Sequence, residues 1–312
     1  MEPTPKVYIL LVNWNNWKDT INCLESLLQS TYTNYCIILC DNGSTDNSSE
    51  EFRFWAKNNI PSTDKHNDPL YLKTSTSKSV LFLDYSNTIL KKEIQDNELK
   101  LVIIKTNTNL GFAGGSNVGL KYIIQQNDYS YIWLLNNDTI VDKNSIRNQV
   151  AFMKQNNKVD MSGSTILSLD NPNIVIAYAG GVWNPLFATT EMIGFNSKFT
   201  KNIDRTTIEK KLDYISGASM FINRNFINKV GLMEESFFLY YEEIDWQKRK
   251  GTDIELAFCP DSLIYHKGAA TVNKQGNLFI QYFFYRNRML ITRKLFSKFI
   301  CTVYLYILFQ AH

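Results

Sequence analysis

The chain has 312 residues, 44% hydrophobic and 20% charged, enough to bury a full core and far too many for a disulfide-stapled peptide. Its formal charge of +3 gives no global nucleic-acid footprint, so no nucleic acid is expected as a partner. The five cysteines (Cys23, Cys36, Cys40, Cys259, Cys301) are scattered in mostly apolar runs, as reduced core thiols would be, and Cys36 and Cys40 lack the second Cys/His pair of a zinc site.

Short apolar runs alternate with helix-like segments through the first half, which predicts an α/β fold of βα units around a mostly parallel sheet. Strands are expected at Val7 to Val12, Cys36 to Cys40, Leu101 to Ile104 and Tyr131 to Leu135, with helices at Trp17 to Gln29 and Ser116 to Gln126. Each strand ends in a polar cluster: NWNN, DNGSTD, TNTNLGF and NNDT. In an open α/β sheet ligands bind beyond the carboxyl ends of the strands, so these clusters are expected to share one crevice. Residues 58–98 break the rhythm with Pro61, Pro69 and the run KTSTSKS, which predicts an insertion with at most short local structure. Beyond Asp160 the pattern changes to mixed β segments and then a helix from Glu242 to Lys250, expected to build the second wall of the site.

Asp41, Asn42, Ser44 and Asp46 make CDNGSTDNS a turn rich in hydrogen-bonding groups, where an Asp could accept from the N3–H of a uracil or thymine ring, or Ser44 or Asp46 could cap the next helix. NLGFAGGSNVG, with Asn109, Gly111, Gly114 and Asn117, could open a helix whose free N–H groups face phosphate, though its GxxGG spacing is not the dinucleotide fingerprint. Asn136, Asn137 and Asp138 end an apolar strand, where a carboxylate can meet a divalent cation that bridges a diphosphate; an Asx turn before Asp142 is the alternative. In YYEEIDWQKR, helical spacing sets Asp245 against Arg249 and Glu242 against Trp246, leaving Glu243 as the free carboxylate of either a general base or a solvated face. His266 ends a further apolar run, where a structural role and a ligand role are both open.

In this order the motifs NWNN, DNGSTD, NLGFAGGSN, LLNNDT, SGASMFINR, FFLYYEEIDWQKR and IYHKG resemble the family 2 glycosyltransferases of GT-A fold, especially the rhamnosyltransferase-like branch that builds bacterial surface polysaccharides. The resemblance implies a catalytic domain over 1–275 and a C-terminal helical segment over 276–312. It implies that Asp41 meets the donor base, that Asn13, Asn42, Asn109, Gly111, Gly114, Asn117 and Asn137 surround the donor, and that Asn136-Asn137-Asp138 stands at the DxD position. A divalent cation, Mn or Mg, would then be held by Asp138 with Asn136 and His266. Glu243 would be the base, with Glu242 and Asp245 next in line. Two departures stand out: Asn136 replaces the first Asp of DxD, and Glu243 replaces the commoner Asp at the base.

The implied reaction moves a sugar, rhamnose or another hexose, from a UDP or dTDP donor to a hydroxyl of a glycan or lipid-linked acceptor, with inversion. Two alternatives are a non-catalytic nucleotide- or glycan-binding module, suggested by Asn136, and a sugar-nucleotide pyrophosphorylase. The latter would carry Arg and Lys in a glycine-rich loop after the first strand, where this chain reads NWNNWKD. No basic n-region and long apolar stretch open the chain, which predicts a cytoplasmic protein. After Asp261 there is no acidic residue, and the basic, aromatic C-terminal stretch suits either packing on the domain or peripheral contact with the inner face of the membrane.

Overall fold

The computed structural model describes residues 4–59, 71–73, 79–85, 99–249, 254–268 and 278–295. At its centre lies β1 (Val7–Asn13), which pairs in parallel with β2 (Tyr35–Asp41) on one side and β6 (Tyr131–Asn136) on the other. Strands buried on both faces must be apolar almost throughout, and all seven positions of β2 are buried. Alternate residues serve opposite layers. Ile9, Leu11, Ile37 and Leu39 pack with α1 (Trp17–Leu28) and α2 (Ser48–Asn59), whereas Leu10, Ile38 and Cys40 pack with α3 (Gly111–Gln126).

The sheet continues through β5 (Leu99–Lys105) to β4 (Ser79–Asp84) and β3 (Tyr71–Lys73) at one edge. This corrects the reading of 58–98 as an insertion with only local structure. Val80, Leu81 and Phe82 are buried, and β4 runs parallel to β5 as a full member of the sheet. The apolar run VLFLDY carried that signal, which the polar flanks obscured; the remainder of 58–98 lies outside the described residues. The helix expected from Ser116 begins at Gly111, so the glycine run forms its first turns. A Cβ on Gly119 would sit 2.2 Å from Leu10 Cδ1, which shows why α3 approaches β1 so closely.

On the far side of β6 the sheet becomes mixed. β13 (Ser219–Asn223) runs antiparallel to β6 and to β8 (Met161–Ser168), β14 (Leu256–His266) runs parallel to β8, and β7 (Thr139–Val141) closes antiparallel on β14. A small sheet of β10 (Gly180–Asn184), β11 (Thr189–Met192) and β12 (Tyr214–Ile215) stands beside it, with β9 (Val175–Tyr178) paired to β8. After α4 (Ser145–Gln155), α5 (Arg205–Glu209) and α6 (Arg224–Val230), the expected helix near Glu242 is α7 (Glu242–Lys248), shorter at its end than the sequence suggested. The C-terminal helix, here α8 (Leu278–Leu295), packs on the domain through buried Asn287 and Ile291. Among the described residues no helix is long and apolar enough to cross a membrane. Cys23, Cys36, Cys40 and Cys259 are buried free thiols, as expected.

Candidate active site

Strand register brings the polar clusters together. Asn13 aligns with Asp41 across β1 and β2, and Val12 aligns with Asn136 across β1 and β6, so the row of strand ends forms one edge. Asn13 Nδ2 donates to Asp41 Oδ1 and to Ser44 Oγ, each at 3.1 Å, and its Oδ1 accepts from Thr20 Oγ1 at 2.9 Å. Asn137 Nδ2 donates to the same Thr20 hydroxyl at 2.8 Å. Ser49 Oγ donates to Asp41 Oδ2 at 2.7 Å, and Asp41 is 0% exposed. Asp41 is thus a buried brace of the strand-end edge with both oxygens engaged, in contrast to the open acceptor that the sequence suggested. Asn13 and Asn137 share that bracing role.

The glycine-rich loop spends its first N–H groups within the protein. Its N–H groups were expected to face phosphate, but Leu110 N donates to Asn42 Oδ1, Gly111 N to Asn109 Oδ1 and Phe112 N to the carbonyl of Phe238. Gly111 has φ +73°, and a Cβ there would lie 2.3 Å from that same Phe238 oxygen. The loop is therefore shaped to seat the Phe238 segment. Asn42 also holds it from below, donating to Asn109 Oδ1 and to Gly111 O. Gly114 backs onto Leu110, and Asn117 is buried, exchanging hydrogen bonds with the main chain of Met233 and donating to Glu235. Neither is open to a donor.

Asp138 and His266 do meet. His266 closes β14, opposite Thr139 in β7, and its Nε2 lies 3.0 Å from Asp138 Oδ1. Asn136 Nδ2 lies 3.4 Å from the same ring nitrogen. Lys267 N donates to the carbonyl of Asp138 at 3.1 Å, tying the two chain segments together. Burial pushes the Asp138 carboxyl up, but the His266 hydrogen bond and charge, with Lys267 nearby, leave it below its ordinary value. Among the described residues no three His, Cys, Asp or Glu side chains cluster around one point. One carboxylate, one imidazole and a neighbouring amide suit an ion whose remaining positions are filled by a diphosphate and water, as Mg²⁺ and Mn²⁺ allow.

Asn136 and His266 line a cleft of about 610 Å³ whose other wall includes Glu242, Glu243 and Tyr240. Glu242 is buried, and its Oε2 has no hydrogen-bond partner among the described residues. Glu243 is partly open, beside Gly217. Burial pushes the Glu242 carboxyl well up, and the charge of Glu243 adds to this; burial also raises Glu243. Burial thus favours the protonated form in both carboxyls, in a fully buried Glu242 set beside a more open Glu243. Asp245 does not line the cleft. It accepts from Arg249 at 2.7 Å and from Lys294 of α8 at 3.1 Å, so both its oxygens are engaged away from the cleft and it is no reserve base, contrary to the sequence expectation.

The raised pair predicts the sign of a stability profile. The native state holds these protons more tightly than the unfolded chain does, so their contribution is full below the ordinary value of 4.5 and is lost as pH rises through the raised values. Thermal unfolding of Glu242→Gln should show a flatter fall than the parent as pH rises above the ordinary carboxyl value of 4.5. A slope identical in the two proteins would contradict the assignment of the buried proton to Glu242.

The segment leading into this pair has an unusual backbone. Phe238, Tyr240 and Tyr241 have φ of 63°, 70° and 69°. Leu239 N donates to Phe237 O at 2.7 Å across Phe238, whose ψ of −56° makes a γ-turn of the strained hand. Each such residue costs on the order of 1–3 kcal/mol, and the sequence pattern FFLYY carries no sign of it.

A family model described as "Glycosyl transferase family 2" matches residues 8–69 and 83–231. The chain belongs to that family. The chain is 25% identical over 196 residues to the low-salt glycan biosynthesis hexosyltransferase Agl10 of Haloferax volcanii, covering 62% of this chain and 61% of that one. It thus spans about three-fifths of that relative. A stretch of 58 residues, 19% of this chain and 17% of the other, is 38% identical to the uncharacterized glycosyltransferase YibD of Escherichia coli. Among solved structures, GalNAc-T7 with UDP, GalNAc and Mn²⁺ has a TM-score of 0.58 at 14% identity, over 85% of this chain and 44% of that one. The mannosyltransferase PcManGT of Pyrobaculum calidifontis, with GDP-Man and Mn²⁺, has a TM-score of 0.52 at 10% identity, over 100% and 77%. These likenesses show that the chain has the GT-A fold. Family membership sets the pyrophosphorylase alternative aside.

Proposed function

We propose that this protein transfers a hexose, rhamnose among the candidates, from a nucleotide diphosphate donor to an acceptor hydroxyl with inversion at the anomeric carbon. The observation that carries the reading is one cleft lined by His266, which holds Asp138, and by the Glu242–Glu243 pair. Glu243 takes the proton of the acceptor hydroxyl, whose oxygen then bonds to the anomeric carbon as the bond to the donor phosphate breaks. Asp138 and His266, with Asn136 beside them, would hold Mn²⁺ or Mg²⁺, and such an ion offsets negative charge on a leaving diphosphate. Burial favours the protonated form of Glu242 beneath the site, which disfavours a second charge near the attacking oxygen.

Ile174, Val175, Ile176, Met192 and Phe195 give the acceptor side an apolar wall, which favours an acceptor with an apolar portion, such as a lipid-linked glycan. Thermal shifts with UDP-, dTDP- and GDP-sugars, with and without Mn²⁺, followed by transfer assays on the stabilising donor, test the reading. UDP or dTDP donors are expected to stabilise the protein more with Mn²⁺ present. A donor that binds without any transfer or hydrolysis would instead support a non-catalytic module.

A membrane-facing role for α8 rests on Leu278, Tyr282, Tyr285 and Met289, exposed along one face at helical spacing. Sedimentation with phosphatidylglycerol vesicles should capture the protein, and Tyr282→Asp with Tyr285→Asp should release it. Equal capture of the double variant would remove this reading.

A further inference from the structure

Asn287 lies midway along α8 and is 0% exposed. Its Nδ2 lies within hydrogen-bond distance of three main-chain oxygens, Phe237 O at 2.5 Å, Leu239 O at 2.7 Å and Tyr240 O at 3.0 Å, so its two N–H groups serve all three with one of them shared. Its Oδ1 accepts from Arg286 Nη1 at 3.0 Å. That arrangement fixes the amide, because the flipped orientation would press one oxygen against three others. All three carbonyls belong to the strained segment that delivers Tyr241, the N-cap of α7, and then Glu242 and Glu243.

We infer that Asn287 is a positioning residue for the carboxylate pair, holding through three carbonyls the unfavourable backbone turn that presents Glu242 and Glu243 to the cleft. Residues in sparsely populated conformations persist only where their surroundings over-determine them. Here the surroundings are specific. Phe112 N holds the Phe238 carbonyl from the glycine-rich loop, the Phe238 ring stacks on Phe283 of α8 at 4.6 Å, and Tyr241 Oη donates to Ala188 O at 3.0 Å. The amide of Asn287 grips the carbonyls on both sides of the turn at once. The helix it steers is seven residues long with no side-chain cap, too short to set its own direction. In this arrangement α8 is part of the catalytic unit.

A purely structural Asn287 would satisfy the same buried carbonyls without placing the glutamates, and a pair of variants separates the two roles. Asn287→Ala is compared with Ile291→Ala, which loosens the same buried face of α8 one turn later without touching the amide. The expected result is a fall in kcat of roughly ten- to a hundredfold for Asn287→Ala with donor KM nearly unchanged, since misplacement of a catalytic group acts on the chemical step. Ile291→Ala should keep kcat near the parent value. Equal losses in kcat for the two variants would overturn the inference. Asn287→Ser, which keeps one donor, should fall between parent and Asn287→Ala and serves if the latter does not fold. These rates rest on the transferase reading, but a second measurement does not. In the unaltered protein the amides of Leu239 and Asp245 should exchange with solvent as slowly as those of buried α8, and exchange at the rate of an exposed loop would overturn the clamp whether or not sugar is transferred.

Discussion

Glu243→Gln should reduce sugar transfer by about 10²–10⁴-fold, the usual contribution of a positioned general base, which corresponds to roughly 3–5 kcal/mol of barrier. The amide matches the carboxyl in shape but cannot take a proton. The substitution also removes a charge from a buried pair, so the melting temperature at neutral pH should hold or rise. Donor-induced thermal shift should persist, because the residues that gather at the strand ends are untouched. The combination to look for is lost turnover with retained fold and retained donor binding. Turnover within tenfold of the parent would move the base away from Glu243, and Glu242 would be the remaining carboxyl on the cleft. Asp245, tied to Arg249 and Lys294, is not in contention.

Asp138→Ala should abolish the Mn²⁺-dependent part of donor binding and lower transfer at least a hundredfold, within the range that preorganised electrostatic groups contribute. The reason is ligand number. Where Asn136 stands in place of a carboxylate, Asp138 is the acid of the strand-end motif, and its carboxyl is held ionised by His266 at 3.0 Å. An oxygen-seeking ion bound by one carboxylate, one imidazole and a diphosphate loses its charged protein ligand in the variant. Thermal shift with donor and Mn²⁺ is the direct measurement. If Mn²⁺ raises the donor-induced shift in Asp138→Ala as much as in the parent, the ion is held elsewhere. His266→Ala should show a smaller loss in the same assay, since the carboxylate remains.

Much of the architecture was legible in the chain. Parallel strands buried on both faces read as near-continuous apolar runs, and β1, β2, β5 and β6 were located within a residue or two. The strand-end rule then gathered the polar clusters correctly, because register alone carries Asn13, Asp41 and Asn136 to one edge. The resemblance placed Asp138 and His266 around one cation, and helical spacing set Asp245 against Arg249, which the 2.7 Å contact matches.

What a motif does with its hydrogen bonds was not legible, because partners distant in sequence compete for the same groups. DNGSTD and NLGF both looked ready for a ligand, yet Asp41 is taken by Asn13 and Ser49, and the glycine-rich loop is taken by Phe238. β4 was hidden because a single edge strand inside polar flanks has no periodic neighbour to announce it. The positive φ angles of Phe238, Tyr240 and Tyr241 contradict the local preference of bulky side chains, so local reasoning points away from them. The sequence by itself determined the α/β layering, the family and the residue types at the site, since these follow from periodicity and from motif order. Tertiary structure alone decided which of those residues face the cleft and that Asn287, dozens of residues beyond the glutamates, grips the turn before them. Packing sets such contacts, and packing has no period in the chain.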